Sequence, residues 1–277
     1  MQSLLRRIGQ ICLIALVLNT TALFAQEEIT AVGSGIVAPI VEAAAEASEA
    51  AVTVNVSGTD RGLTAFCQGE ADLALATRPL STDEEFNCTI AGVEYLELLA
   101  GYNAIALISS ADAAYNQCLT SDGLRTLLAP SAQGPVNDWS QVSATNPSSL
   151  LSLYIPAETS PIYAALDALV DGVGIRSDVQ TTASDDDTIS AVSSDPNALG
   201  VVSYASAAAA GDSVRALQIN ADNVGCFSPS LETIEGREYT GADRLFVYVN
   251  SASLSKPGLS DLLNAIFSED AQSTIEA

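Results

Sequence analysis

The stretch SGTDRGLTAFCQGEADLALATRPLSTDEEFNC, residues 57–88, reads as a loop, a short helix, a strand and a second loop. Gly58 and Gly62 bracket Thr59, Asp60 and Arg61 at the end of a strand over 51–56. Glycine at such a point lets backbone N–H groups turn toward a ligand. A helix over 63–70 starts at that turn. Ala71, Leu73 and Leu75 then alternate with Asp72 and Ala74 in a strand that delivers Thr77, Arg78 and Pro79 to its carboxyl end. Two strand ends therefore present polar groups close together.

The same grammar extends outward in both directions. A strand over 29–32 runs into Gly33, Ser34 and Gly35, and 36–50 carries alanine and glutamate at helical density. That turn puts the free N–H groups and positive dipole end of a helix beside Ser34, which suits an anion, although a GSG turn serves tight packing equally well. Further strands are expected over 93–99, 103–108, 150–155, 198–204 and 245–250. Helices are expected over 120–128, with Thr120 or Ser121 as cap and Pro130 as stop, and over 162–170, with Ser160 as cap and Pro161 as first helical residue. A small helix or turn over 205–210 and a closing amphipathic helix over 259–275 complete the set. Asp185, Asp186 and Asp187 precede a helix over 188–194, where acidic residues favour the helix start and lack the spacing of a calcium loop. Residues 134–141, with the single tryptophan Trp139, read as a loop whose ring packs on a neighbour, and 220–237 is loop-rich. Alternation of strands with helices predicts α/β lobes rather than a β sandwich.

Residues 1–25 have the layout of a secretory signal: Arg6 and Arg7, an apolar run over 11–18, and small residues near Ala25. The run is too short to span a bilayer, and Cys12 lies inside it, so no lipid-anchored cysteine is expected. Removing 25 of the 277 residues leaves 252, with 8 basic and 34 acidic side chains and a net charge of −26. That charge repels nucleic acid and anionic membranes and keeps an exported protein soluble. Four cysteines remain, Cys67, Cys88, Cys118 and Cys226, and they allow three pairings, of which Cys67 with Cys88 and Cys118 with Cys226 is the one we expect. The first bridge would clamp the loop after Arg78 onto the preceding helix, contributing about 3 kcal/mol on the loop-entropy model. With no histidine and no CxxC, neither a metal nor a cofactor is expected.

Phe66, Cys67, Gly69, Glu70, Asp72, Arg78 and Pro79 form an FCxGExDxxxxxRP motif, followed by Cys88. In this the chain resembles the periplasmic phosphate-binding proteins of ABC transporters, in their cysteine-bridged branch. The resemblance continues through Cys118, Leu119 and Thr120, then 129–139, Leu153 and Tyr154, 184–187, 200–204, 228–233 and 245–250. It implies a two-lobed periplasmic-binding-protein fold of type II, α/β with mixed sheets, helices on both faces and a hinged cleft. Lobe 1 would comprise 26–108 plus 223–277, and lobe 2 109–222. The anion-facing positions it implies are Ser34 at the first turn, Gly58, Thr59, Asp60, Arg61 and Gly62 at the second, Thr77 and Arg78 at the third, and Thr159 and Ser160 at the fourth. Convergent N–H and hydroxyl donors plus one guanidinium would satisfy a desolvated phosphate.

The chain departs from the family pattern at two turns. Ile36 stands where a threonine or serine is usual, and Glu158, Thr159, Ser160, Pro161 and Ile162 stand where TDSGT is usual. Pro161 removes one backbone N–H from the anion-holding group. Arg61 replaces a family glycine and could add a second positive group, and Asp60 could accept the proton of a protonated phosphate. The expected function is a periplasmic solute-binding protein, monomeric and not an enzyme, that captures phosphate or a related oxyanion for the membrane subunits of an ABC importer. The alternative is a degenerate relative serving in envelope interaction or sensing, its cleft filled by Ile36, Ile162 and Pro161. An exported hydrolase would need a serine such as Ser160 with Lys256, the only lysine.

Overall fold

The computed structural model describes residues 27–221 and 224–268. The expected signal segment and the end of the expected last helix lie outside the described residues.

The chain opens with β1 (Ile29–Gly33), α1 (Ala38–Ser48), β2 (Val52–Val56), α2 (Thr59–Cys67), β3 (Leu73–Ala76) and α3 (Thr82–Ala91). β1 lies between β2 and β3, parallel to both. α2 starts one turn earlier than its apolar pattern suggests, with Gly58 as N-cap. α3 occupies the segment expected to be a loop. Ser81 accepts a hydrogen bond from the Glu84 N–H while the Glu84 carboxylate accepts from Ser81, a capping box that starts a helix despite its few apolar residues.

A 16-residue strand follows, β4 (Tyr95–Ser110), where two strands were expected. Residues 100–102 do not interrupt it, because both ends of the strand have ladder partners. Tyr95 to Ala104 pair antiparallel with β11 (Ala242–Asn250), and Ile105 to Ser109 pair antiparallel with β8 (Ala198–Ser203). A register shift at Leu245/Phe246 leaves Ala100 as the extra residue of a bulge.

The second half contains β5 (Cys118–Thr120), α4 (Ser121–Leu128), α5 (Trp139–Val142), β6 (Ser152–Pro156), α6 (Pro161–Ala168), β7 (Gln180–Thr182) and α7 (Asp185–Ser194). After β8 come α8 (Tyr204–Ala210), β9 (Val214–Ala216), β10 (Gln218–Asn220) and α9 (Leu231–Glu235), and α10 (Leu259–Ile266) follows β11. Trp139 begins a short helix rather than lying in a loop; its ring is fully buried, stacks on Tyr115 at 3.5 Å and donates to the Asn197 carbonyl. One sheet in the order β2-β1-β3-β11-β4-β8-β6-β7, with β9 also on β4, runs through the molecule, and β5 pairs β10 separately.

Helices cover both faces of this sheet. In the first half, Val41 of α1 and Leu262 of α10 pack on one face with Leu75 and Val247, while Leu63 and Phe66 of α2 pack on the other with Phe246 and Tyr248. In the second half Leu124, Leu127 and Leu166 pack with Leu107 and Leu199, and Val192 lies opposite with Ala106 and Ile108. The second core also takes in Ile105 from before residue 109 and Ile234 and Tyr239 from after 222. Disulfides join Cys67 to Cys88 and Cys118 to Cys226, the expected pairing.

Candidate functional site

Strand direction decides which turns meet. β1, β2 and β3 run parallel, β11 runs against β3 and β4 against β11, so β4 travels with β1 out of the first half. β8 runs against β4, and β6 runs with β8. The carboxyl ends of β1, β2 and β3 therefore point at the second half, and the carboxyl end of β6 points back at them. All four expected turns lie at these ends.

The first two turns are held by close backbone contact. A Cβ on Gly62 would stand 2.4 Å from the Gly33 Cα, and one on Gly33 would stand 2.1 Å from the Leu75 carbonyl oxygen. Only glycine at both positions lets the start of α2 rest on β1. Gly58, at φ +86°, donates its N–H to the Gly33 carbonyl at 2.9 Å and caps α2 without a side chain. α1 likewise starts without a side-chain cap. The leading N–H groups of α2 thus have no side-chain acceptor at the strand end, whereas those of α1 are taken by its own backbone, Ala38 donating to the Ser34 carbonyl and Ile40 to the Val37 carbonyl, each at 3.1 Å, and Pro39 having none.

Hydroxyls stand beside them. Ser34 is 6% exposed, and its Oγ accepts from the Ile36 N–H at 3.2 Å, so its own proton remains available. Thr59 Oγ1 accepts from the Thr77 N–H at 3.2 Å and lies 3.2 Å from Thr77 Oγ1. Two hydroxyls sharing one hydrogen bond leave one proton for a third group.

Arg78 is differently engaged from what the anion-binding arrangement implies. Its two terminal nitrogens donate to Glu84 Oε2 at 2.8 Å and Oε1 at 2.9 Å, to Asp60 Oδ1 at 2.5 Å and to the Pro79 carbonyl at 3.0 Å. Only Nε has no partner among the described residues. The Arg78 hydrogen bonds hold the Glu84 carboxyl down at about 2, and Glu84 raises the guanidinium above its ordinary range. Asp60, 83% exposed, is the outer member of this cluster. Arg61 is exposed and lines a shallow depression along α2 with Asp60, Thr64, Ala65 and Gln68.

Across the crossing, Ser160 caps α6, its Oγ accepting from the Ile162 N–H at 3.3 Å, and Thr159 and Glu158 are exposed. Ile36 and Ile162 do not share one apolar plug. Each is half-buried and packs on the core of its own half. Asn103 and Asp243 face one another in register where β4 and β11 cross. The Asn103 amide nitrogen is buried without a partner among the described residues, and burial raises the Asp243 carboxyl.

Two groups escaped the sequence reading. Glu84 was legible as the third residue after Ser81 in a capping box, but its reach to Arg78 is a tertiary fact. Asp72 of the motif is the other. It is 8% exposed, accepts from Thr30, from Ser253 at 2.5 Å and from Lys256 at 2.8 Å, and sits at the amino end of β3. Burial alone would raise its carboxyl, but the bonds from Lys256, Ser253 and Thr30 outweigh that and hold it below the ordinary value. Lys256 is thereby fixed at the strand ends opposite to the turns, while Ser160 follows the carboxyl end of β6.

A family model described as the PBP superfamily domain matches residues 19–270. Protein SphX of Synechococcus elongatus is 30% identical over 245 residues, covering 85% of this chain and 72% of SphX. The phosphate-binding protein PstS of Staphylococcus epidermidis is 23% identical over 253 residues, covering 88% of this chain and 76% of PstS. Among solved structures, a possible phosphate-binding protein from Planctomyces limnophilus superposes with a TM-score of 0.82 at 26% identity, over 90% of each chain. Among the described residues, no helix is long and apolar enough to cross a membrane.

Proposed function

The chain belongs to the PBP superfamily and, within it, to the phosphate-binding proteins, and on that footing we propose that it captures phosphate or a related oxyanion between two lobes in the periplasm, for an ABC importer. The observation that carries the reading is the start of α2 without a side-chain cap together with the uncommitted hydroxyl protons of Ser34 and the Thr59–Thr77 pair at adjacent strand ends. N–H and O–H donors in a partly desolvated recess match an oxyanion. Thr159 and Ser160 approach from the other lobe as it closes. In this reading the lobes divide where β4 and β11 cross; the expected limits are 26–108 plus 223–277 and 109–222, and Ile234 and Tyr239 pack with the core of the second half.

Arg78 acts in this reading as a brace. It offsets part of the charge of Glu84 and Asp60, one guanidinium against two carboxylates, so that the anion meets N–H and O–H donors rather than two bare carboxylates. Binding without turnover accords with Lys256 held by Asp72 at the far strand ends. The test is a melting series with phosphate, arsenate and sulfate on protein stripped of ligand by partial unfolding. A bound oxyanion adds about 1.4 kcal/mol per tenfold rise in concentration above its Kd. Thr59→Val should abolish the rise while leaving the ligand-free melting temperature within a few degrees.

A second reading, an envelope sensing or interaction protein without oxyanion binding, is favoured by one observation. The four terminal N–H groups of Arg78 are all taken. Indifference of the melting temperature to every oxyanion tested would select it.

A further inference from the structure

We propose that the open edge of β4 in the first lobe accepts an added strand from a basic partner protein, an extended segment in which lysine or arginine alternates with β-branched residues. β11 pairs one side of β4 from Tyr95 onward, but β8 pairs the other side only from Ile105. Before that point the outward row of N–H and C=O groups has no ladder partner among the described residues. The bulge at Ala100 sets 95–99 apart as a regular run of five residues, the ordinary length of a strand.

Exposed edges are usually blunted by proline, lysine or a free charge. Residues 95–99 contain no proline and no lysine, and their one charge, Glu97, accepts a hydrogen bond from the Tyr248 hydroxyl at 2.8 Å. Leu96 and Leu99 are 44% and 42% exposed. Just upstream on α3, Phe86 and Ile90 stand one helical turn apart and are 64% and 71% exposed.

Charge selects the occupant. No lysine or arginine lies between Arg78 and Arg125, whereas Asp83, Glu85, Glu94 and Glu97 surround this edge in sequence. A second copy of a chain carrying a formal charge of −24 would bring acid against acid. A basic strand instead gains main-chain hydrogen bonds from the edge and charge complementarity from its flanks. The inference is independent of the oxyanion reading, since the edge is remote from the four turns in the topology.

The test uses the whole exported chain and a fluorescent octapeptide alternating lysine and valine, with a glutamate–valine octapeptide as control. Anisotropy should report binding of the lysine peptide that weakens as salt is raised, and hydrogen exchange should slow over 95–99. The double variant Leu96→Lys/Leu99→Lys, at exposed positions, should weaken that binding roughly tenfold or more while phosphate still raises the melting temperature as in the parent. Equal binding of the glutamate peptide, unchanged exchange over 95–99, or full binding by the double variant would each overturn the proposal. A dimer in sedimentation that the double variant disperses would also overturn it, assigning the edge to a second copy.

Discussion

Arg78 and Lys256 are both committed to carboxylates, with different consequences. Arg78 is 39% exposed and Glu84 16% exposed, so their bond is partly screened. Glu84 is held at about 2 against an ordinary 4.5, chiefly by the Arg78 hydrogen bonds. A depressed carboxyl contributes stability that is complete above its unfolded value and lost as pH falls toward its folded one. Urea midpoints should therefore fall between pH 4.5 and about 2, and Glu84→Gln should flatten that limb; an unaltered limb would show that the pair adds nothing. Removing Arg78 would expose Glu84 and Asp60 to each other, so Arg78→Ala should lower the melting temperature as well as any phosphate shift, and it separates the two effects less well than Thr59→Val. Lys256 and Asp72 are better buried, at 21% and 8% exposed. Lys256→Met leaves the carboxylate without its cation and should cost about 3 kcal/mol in urea unfolding. The phosphate shift should persist in that variant, because the pair lies at the opposite strand ends; its loss would reopen a role for Lys256 in the site.

The contact between α2 and β1 is the element on which the recess depends. Gly62→Ala would drive a methyl into the Gly33 backbone, which has no flexible end to yield. α2 must then lift from the strand, at about 1–3 kcal/mol, and its leading N–H groups move with it. The variant should lose most of the phosphate shift in a melting series, and an undiminished shift would show that α2 does not contact the anion. The glycines and the strand into Thr77 are legible in the sequence because each is a local feature, whereas Thr59 to Arg61, expected as a turn, form the first turn of α2. α3 was not read, since its single buried residue, Cys88, offers no apolar period. The capping residues Ser81 and Glu84 were the signal that could have found it. The two strands expected in place of β4 have a related cause. Residues 100–102 separate its two apolar runs, and only pairing with β11 on one side and β8 on the other carries the strand through.

At the scale of the whole molecule, the two disulfides serve different halves. Cys67–Cys88 ties the carboxyl end of α2 to α3, whereas Cys118–Cys226 closes a separation of 108 residues and joins the second half on itself. Replacing Cys118 and Cys226 by serine should cost about 4–5 kcal/mol on the loop-entropy model. Because that bridge is outside the turns, the phosphate-induced rise in melting temperature should keep its size; a lost rise with the fold intact would place the bridge in lobe closure. The α/β class, the family and the turns after β1, β2, β3 and β6 were determined by the sequence alone, because alternation, glycine turns, caps and motif spacing all act over a few residues. The engagement of Arg78 with Glu84 and Asp60, the burial of Asp72 against Lys256, and the strand directions that turn the carboxyl end of β6 toward those of β1, β2 and β3 were decided only by the tertiary structure. Each of these depends on strand direction and on side chains reaching between elements distant in the chain.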